Sequence, residues 1–225
     1  VLAFLLNLSL FGATGGASVY MAQYWGARNI VSLRKTMGLC LALSVIIAGL
    51  MSALVLLFPV QLLSIYTSDP EVMAAGLSIL RIVGWSYLFG AISTSFYAGL
   101  RATGDTRSPM IISVVFLLLA TGLNFVLIFG HLGFPAMGVR GTAVGRTIAM
   151  VLECITLVAI LYWRKSAIAA PVREYLNLSM TFIRTHLGKI FFVFANEFVW
   201  ALGMNTIHAM FARLGTSNYA AFSMT

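Results

Sequence analysis

Charged residues are scarce in this sequence. Only 9% of its 225 residues are Asp, Glu, Lys or Arg, whereas 60% are hydrophobic, and the mean hydropathy is +0.98. Soluble domains carry about 25% charged residues, because their surfaces must be hydrated. A composition this poor in charge excludes an ordinary soluble domain and is typical of an integral membrane protein.

Cysteine, histidine and acidic residues are also few. Cys40 and Cys154 lie in separate apolar segments without metal-ligand spacing, which argues against a disulfide framework and a zinc site. Six acids and three histidines place no acid and base at reactive spacing, so we expect no enzymatic activity and no cofactor. The net charge is +8, but the basic residues occur singly or in pairs rather than among stacking aromatics. We therefore expect no nucleic-acid partner.

Six apolar segments are long enough to cross the roughly 30 Å of a bilayer's hydrocarbon core. Turn-forming residues such as Phe58-Pro59 and Ser68-Asp69-Pro70 separate them. The expected fold is an all-α, polytopic bundle of six spans plus the start of a seventh in residues 217–225. Because the chain starts at Val1 and has no signal peptide, we expect an internal piece of a longer protein. The six spans cover residues 1–27, 37–63, 72–100, 110–130, 136–163 and 190–212.

The distribution of Lys and Arg predicts the orientation. Cytoplasmic loops carry an excess of these residues, and ten of the fourteen fall on one side if residues 28–36 are cytoplasmic. This places Val1 outside, and loops 28–36, 101–109 and 164–189 inside, in a multi-pass protein of the cytoplasmic membrane. The ten are Arg28, Arg34, Lys35, Arg101, Arg107, Arg164, Lys165, Arg173, Arg184 and Lys189.

One connection, residues 166–188, is much longer than the others. Its apolar residues recur at near-helical spacing, with charged residues elsewhere around the helix. This pattern is typical of an amphipathic segment that lies on the membrane surface. Such a segment would join two helix bundles and let them rock against each other; the alternative is an inert tether.

Glu197 lies in the middle of the last span. A charged side chain at bilayer depth costs roughly 3 kcal/mol, and such residues usually face a protein interior or a wet cavity on an ion pathway. Met204 and His208 share the helix face of Glu197, and Asn196 and Asn205 flank it. The functional hypothesis is an ion-binding carboxylate; the alternative is a structural group paired with a neighbouring helix.

Five short motifs occur along the chain in a recognisable order. AQYWGA spans residues 22–27, and AGLRATGDTRSPM spans residues 98–110, where we expect Arg101 to pair with Asp105 at i, i+4. LNFVLIFG and GFPAMGVRGTAVG follow at residues 123–145, and NE-x-x-W-x-x-G occupies residues 196–203. Together these motifs resemble the multidrug and toxic compound extrusion family, MATE, in register from Val1 to Thr225.

The resemblance implies a twelve-helix, two-bundle antiporter that works by alternating access. It would export drugs or other amphipathic organic compounds in exchange for Na⁺ or H⁺, which makes small organic substrates, the coupling cation, the lipid bilayer and the remainder of the same chain its partners. Residues 1–163 would form most of the first bundle, with five spans. Residues 164–189 would be the cytoplasmic linker, and residues 190–225 the first span of the second bundle and the start of the next.

The resemblance also assigns roles to individual residues. Glu197 matches the family's seventh-helix glutamate, and Asn124 matches a cation-site residue of the fifth helix. Na⁺ bound at Glu197 would be the only metal ion. Arg146 stands where relatives have a hydroxyl, so it is either a built-in substitute for a cation or an arginine that snorkels to the interface. Glu153, seven residues later, is the candidate partner of Arg146 in a structural charge pair. Candidate substrate-lining residues are Asn196, Trp200 and Met204, which would form part of an adaptable wall.

Two rival functions remain open. A flippase for lipid-linked precursors, from the same broad superfamily, would need several basic residues in its cavity, and only Arg146 and Arg81 qualify. A membrane scaffold without transport activity would not need Glu197.

Overall fold

The computed structural model describes residues 2–66, 69–131 and 133–213, and the regular structure of these residues is helical. Six of the helices (α1, α2, α4, α5, α6 and α8) are long and apolar enough to cross a membrane. The predicted all-α, six-span fold is confirmed, whereas the expected start of a seventh span lies outside the described residues. The helices are α1 (Leu2–Gly26), α2 (Ile30–Leu57), α3 (Pro59–Ser64), α4 (Pro70–Ala102), α5 (Arg107–Phe129), α6 (Val139–Trp163), α7 (Val172–Leu176) and α8 (Met180–Arg213).

The long helices pack in a continuous series. Helix α2 packs against α1 and α4, α6 lies against both α4 and α5, and α8 runs along α1. Two buried clusters hold the bundle together. One, near loops 28–36 and 101–109, includes Met37, Phe96 and Leu157. The other, nearer the opposite end, includes Leu10 and Tyr87.

The turn-forming residues act where the sequence predicts. Pro59 occupies the first turn of α3, and Phe58 before it leaves the helical region (φ −124°, ψ 42°), so α2 ends at Leu57. Asp69 Oδ1 accepts hydrogen bonds from the backbone N–H groups of Glu71 (2.8 Å) and Val72 (3.4 Å), which caps α4. Helix α2 begins at Ile30, seven residues before the predicted start, because Asn29 caps it through the Ser32 N–H.

The predicted pair between Arg101 and Asp105 is wrong. Helix α4 ends at Ala102, so Asp105 lies beyond it and the helical i, i+4 geometry does not apply. Asp105 instead accepts hydrogen bonds from the Ser108 N–H (3.0 Å) and the Ser108 hydroxyl (2.7 Å). These bonds to Ser108 hold the pKa of the Asp105 carboxyl below its usual range.

The connection between α6 and α8 does not form one amphipathic helix over residues 166–188: its first half is docked on the bundle, and its second half belongs to α8. Helix α7 has only five residues, and buried Tyr175 places its backbone against Gly38 of α2. The Tyr175 hydroxyl donates to the Ile168 carbonyl (2.6 Å) and accepts from the Ala170 N–H (3.0 Å). Arg34 of α2 adds an ion pair with Glu174 (2.8 Å).

The second half of the same connection belongs to the last long helix. Helix α8 begins at Met180, ten residues before the predicted Ile190. Apolar residues at helical spacing in this region therefore extend a membrane-spanning helix. The sequence pattern does not separate the two structures, because both need the same periodicity.

We predict that Gly38→Ala will loosen the docked connection. A Cβ at position 38 would overlap the Tyr175 backbone, and overpacking of this kind typically costs about 1–3 kcal/mol. The matched control is Gly49→Ala in the same helix, where a Cβ would meet nothing within 4 Å. SDS titration of the intact transporter measures the stability of each variant. Proteolysis within residues 164–178 measures how firmly the connection is docked. Equal stability of the two variants would contradict the prediction.

Candidate ion and substrate site

Glu197 lies at the contact between α8 and α1. Its Cβ and Cγ are 3.1 and 3.2 Å from the position that a Cβ on Gly12 would take, and the Phe194 Cα is 2.8 Å from that position. Any side chain at position 12 would push the two helices apart. The same holds at Gly16, where an added Cβ would lie 3.0 Å from the Ile190 Cα, so two glycines of α1 permit the close helix contact.

The Glu197 carboxylate is half-buried at this contact. Among the residues that the structure describes, it has no hydrogen-bond or ion-pair partner. The structure thus offers no support for a structural pair within this part of the chain. Helix α8 continues through Glu197 without a break.

Other candidate residues of α8 lie at one end of the same contact. The Trp200 ring is 54% exposed, and its centroid lies 6.1 Å from that of Phe4 in α1. The His208 ring is 6.3 Å from Phe4, and its Nδ1 lies 2.8 Å from the Met204 carbonyl. Met204 is half-buried and Asn196 is exposed. The structure therefore gathers the Trp200 and His208 rings around Phe4, whereas Asn196 is exposed elsewhere on the helix.

An aromatic cluster at the other end of the contact was missed by sequence reasoning. Buried His186 accepts a hydrogen bond from the Tyr24 hydroxyl at Nε2 (2.8 Å), because its Nδ1 must donate to the Phe182 carbonyl (2.8 Å). The Tyr20 ring lies 4.5 Å from the His186 ring. The only signal in the sequence was the recurrence of aromatic residues at helical spacing near both helix ends, which is common at membrane interfaces.

Asn124 of α5 lies against Gly145 of α6. Its Oδ1 is 2.5 Å from the position that a Cβ on Gly145 would take, so any larger residue at position 145 would displace the Asn124 side chain. This oxygen is buried and has no hydrogen-bond partner among the described residues. A buried oxygen without a partner is costly unless water or an ion completes it, so its chemistry fits a cation ligand.

The expected charge pair between Arg146 and Glu153 is not formed. Glu153 Oε1 accepts a hydrogen bond from the Tyr97 hydroxyl of α4 at 2.5 Å, and no ion pair joins it to Arg146 in the described ranges. Arg146 is exposed on α6. The two residues lie two helical turns apart, about 10 Å along the axis of α6. Tyr97 was missed, since no motif marks it.

The candidate residues form two separate groups in the structure. Glu197, Trp200 and Met204 lie on α8, which packs on α1, whereas Asn124, Arg146 and Glu153 lie on α5 and α6. The structure does not bring the groups together. Each group is associated with close helix packing at a glycine, Gly12 in one case and Gly145 in the other.

Comparison with known proteins supports the resemblance. The family model described as MatE matches residues 2–126. The probable multidrug resistance protein YoeA of Bacillus subtilis is 26% identical over 179 residues, 79% of this chain and 39% of that protein. The probable multidrug resistance protein NorM of Thermotoga maritima is 29% identical over 160 residues, 71% of this chain and 34% of that protein.

The fold agrees with a solved transporter structure. An inward-facing multidrug resistance MATE family transporter of the MOP superfamily superposes with a TM-score of 0.77 and 21% identity, covering 98% of this chain and 50% of that one. The chain thus spans about half of that structure and less than half of the two curated relatives. A family match over more than half of the chain, together with six membrane-spanning helices in the same fold, shows that this multi-pass membrane chain belongs to the MatE family of multidrug and toxic compound extrusion proteins.

Proposed function

We propose that the intact protein is a cation-coupled antiporter that exports drugs or other amphipathic organic compounds by alternating access. The observation that carries this proposal is Glu197, a half-buried carboxylate at the α1–α8 contact that has no partner among the described residues. The names of the relatives, which include probable multidrug resistance proteins, support the choice of substrate class.

An unpaired carboxylate at membrane depth is costly, and binding of Na⁺ or H⁺ offsets that cost. A bound cation shifts the equilibrium between two conformations only if it binds one of them more tightly than the other. Glu197 lies where a movement of α8 relative to α1 would change its surroundings, because Gly12 leaves no spacer between the helices. Cation occupancy and the α1–α8 geometry are therefore coupled in this proposal.

The first bundle contributes a second group of residues. The unpartnered Asn124 oxygen is a cation ligand in this proposal, and the permanently charged guanidinium of Arg146 replaces a bound cation nearby. In this proposal residues 1–163 form most of the first bundle, residues 164–189 are the cytoplasmic linker, whose last ten residues are already the start of α8, and residues 190–225 are the start of the second bundle. The chain lies in the cytoplasmic membrane with Val1 outside.

The substrate wall is assigned to α8. Trp200 supplies a large aromatic ring beside Phe4, Met204 a half-buried, flexible thioether one turn further along α8, and Asn196 an exposed amide. Flexible, polarisable side chains of this kind suit a binding surface that accepts several compounds. No cofactor is required besides the coupling ion.

We predict that Glu197→Gln in the intact transporter will abolish gradient-driven export of a cationic dye from vesicles. Glutamine keeps the size of the side chain but neither takes up a proton nor balances the charge of Na⁺. Glu71→Gln is the matched control, because Glu71 is exposed in the first turn of α4. Export at the wild-type rate by the Glu197→Gln protein would show that the proposal is wrong.

Arg146→Thr tests the substitute-cation role. If Arg146 replaces a bound cation, its removal will change the Na⁺ or pH dependence of dye export, since a neutral hydroxyl leaves room for an ion. Arg140→Thr is the control, because Arg140 is exposed in the same helix. Unchanged ion dependence with normal activity would contradict the substitute-cation role and would support an arginine that reaches to the membrane interface.

A further inference from the structure

A cleft of about 220 Å³ opens between the ends of α4, α5 and α6 at the predicted cytoplasmic face. Its polar lining consists of Asp105, Ser108, Arg164 and Ser166. Below them lie apolar side chains that include Ile112 and Leu157. A cleft with a polar mouth and an apolar floor fits an amphipathic ligand.

The two charges at the mouth are opposite and close together. The Ser108 hydroxyl donates to Asp105 Oδ2 (2.7 Å) and accepts from Arg164 Nη1 (3.2 Å), so one hydroxyl joins the carboxylate to the guanidinium. Ser108 donates one hydrogen bond to each carboxylate oxygen of Asp105, and the Arg107 backbone N–H also interacts with this carboxylate, which still keeps acceptor capacity. Arg164 likewise keeps unused donors. The lining is therefore zwitterionic, with no net charge.

Hydrogen bonds to the bundle fix the segment that borders the cleft. The Tyr162 hydroxyl donates to the Ala170 carbonyl (2.6 Å), and Arg34 Nε donates to the Ala167 carbonyl (3.0 Å), which fix the segment beside Arg164. Trp163, adjacent to Arg164, is 82% exposed. Exposed tryptophans mark the membrane–water interface.

We propose that this cleft binds a phospholipid of the cytoplasmic leaflet with a primary-ammonium headgroup, phosphatidylethanolamine, whose phosphate lies on Arg164 and whose ammonium lies on Asp105. Basic pockets between helices at this face ordinarily select anionic lipids. Here the carboxylate beside the arginine disfavours a second negative charge and supplies an acceptor for ammonium N–H groups. Phosphatidylcholine has no N–H to donate, so the cleft discriminates between two zwitterionic lipids. The acyl chains lie outside the cleft, along the lipid-facing side of α5 and α6.

The test uses the intact transporter in vesicles with equal amounts of phosphatidylethanolamine, phosphatidylcholine and phosphatidylglycerol. After extraction, lipids that remain bound are identified by native mass spectrometry. We expect phosphatidylethanolamine to exceed phosphatidylcholine by about tenfold, the factor that corresponds to one hydrogen bond to a charged group. Equal retention of the three lipids, a preference for phosphatidylglycerol, or no retained lipid would each overturn the proposal.

Three variants and one control localise the effect. Asp105→Asn keeps an oxygen for the Ser108 N–H and removes the preference for phosphatidylethanolamine over phosphatidylcholine, whereas Arg164→Gln lowers retention of both by about tenfold. Ile160→Trp fills the cleft without touching either charge and reduces retention, which keeps the test valid if a charge variant folds poorly. The control is Arg101→Gln, an exposed arginine at the same face that does not line the cleft. An equal loss in the Arg101→Gln and Arg164→Gln proteins would also overturn the proposal.

Discussion

The contact between α1 and α8 depends on the absence of side chains at two positions. Lipid provides no hydrophobic drive for helix association, so helices in a membrane associate through close packing and polar contacts. Gly12 and Gly16 let the backbone of α1 approach Phe194 and Ile190 of α8. The hydrogen bond between Tyr24 and His186 holds one end of the contact, and Phe4 with Trp200 the other. Glu197 is placed between these ends, which explains how an acid is positioned at membrane depth.

The docked connection limits how the two parts of the chain move in this account. Residues 167–175 are fixed to α2 by Gly38, Arg34 and buried Tyr175. Flexibility between the docked segment and α8 is therefore confined to the few residues between Leu176 and Met180. In the proposed transport cycle, α8 moves as a whole along α1, and the linker does not absorb the motion over its full length.

Sequence reasoning predicted the fold well because hydrophobic length and turn-forming residues act locally. Pro59, Asp69 and Gly130 end or begin helices as their backbone chemistry requires.

The same reasoning failed where helix ends and helix pairing decide the outcome. Asp105 does not pair with Arg101 because the helix has already ended, and Glu153 meets Tyr97 because α4 and α6 lie side by side. Spacing within one helix carries no information on these contacts. Glu197 was identified because the cost of a buried charge is independent of the neighbours, whereas its position opposite Gly12 needed the structure.

In the proposed function, cation binding at Glu197 changes the α1–α8 contact. The most direct measurement is the distance between spin labels at Val19 of α1 and Val199 of α8 in the intact transporter. Both residues are exposed, and the native cysteines Cys40 and Cys154 are buried. The account predicts that adding Na⁺ or lowering the pH will shift the distance distribution, and that Glu197→Gln will remove the shift. A distribution that is the same with and without the cation, or a shift that persists in the Glu197→Gln protein, would contradict the claim.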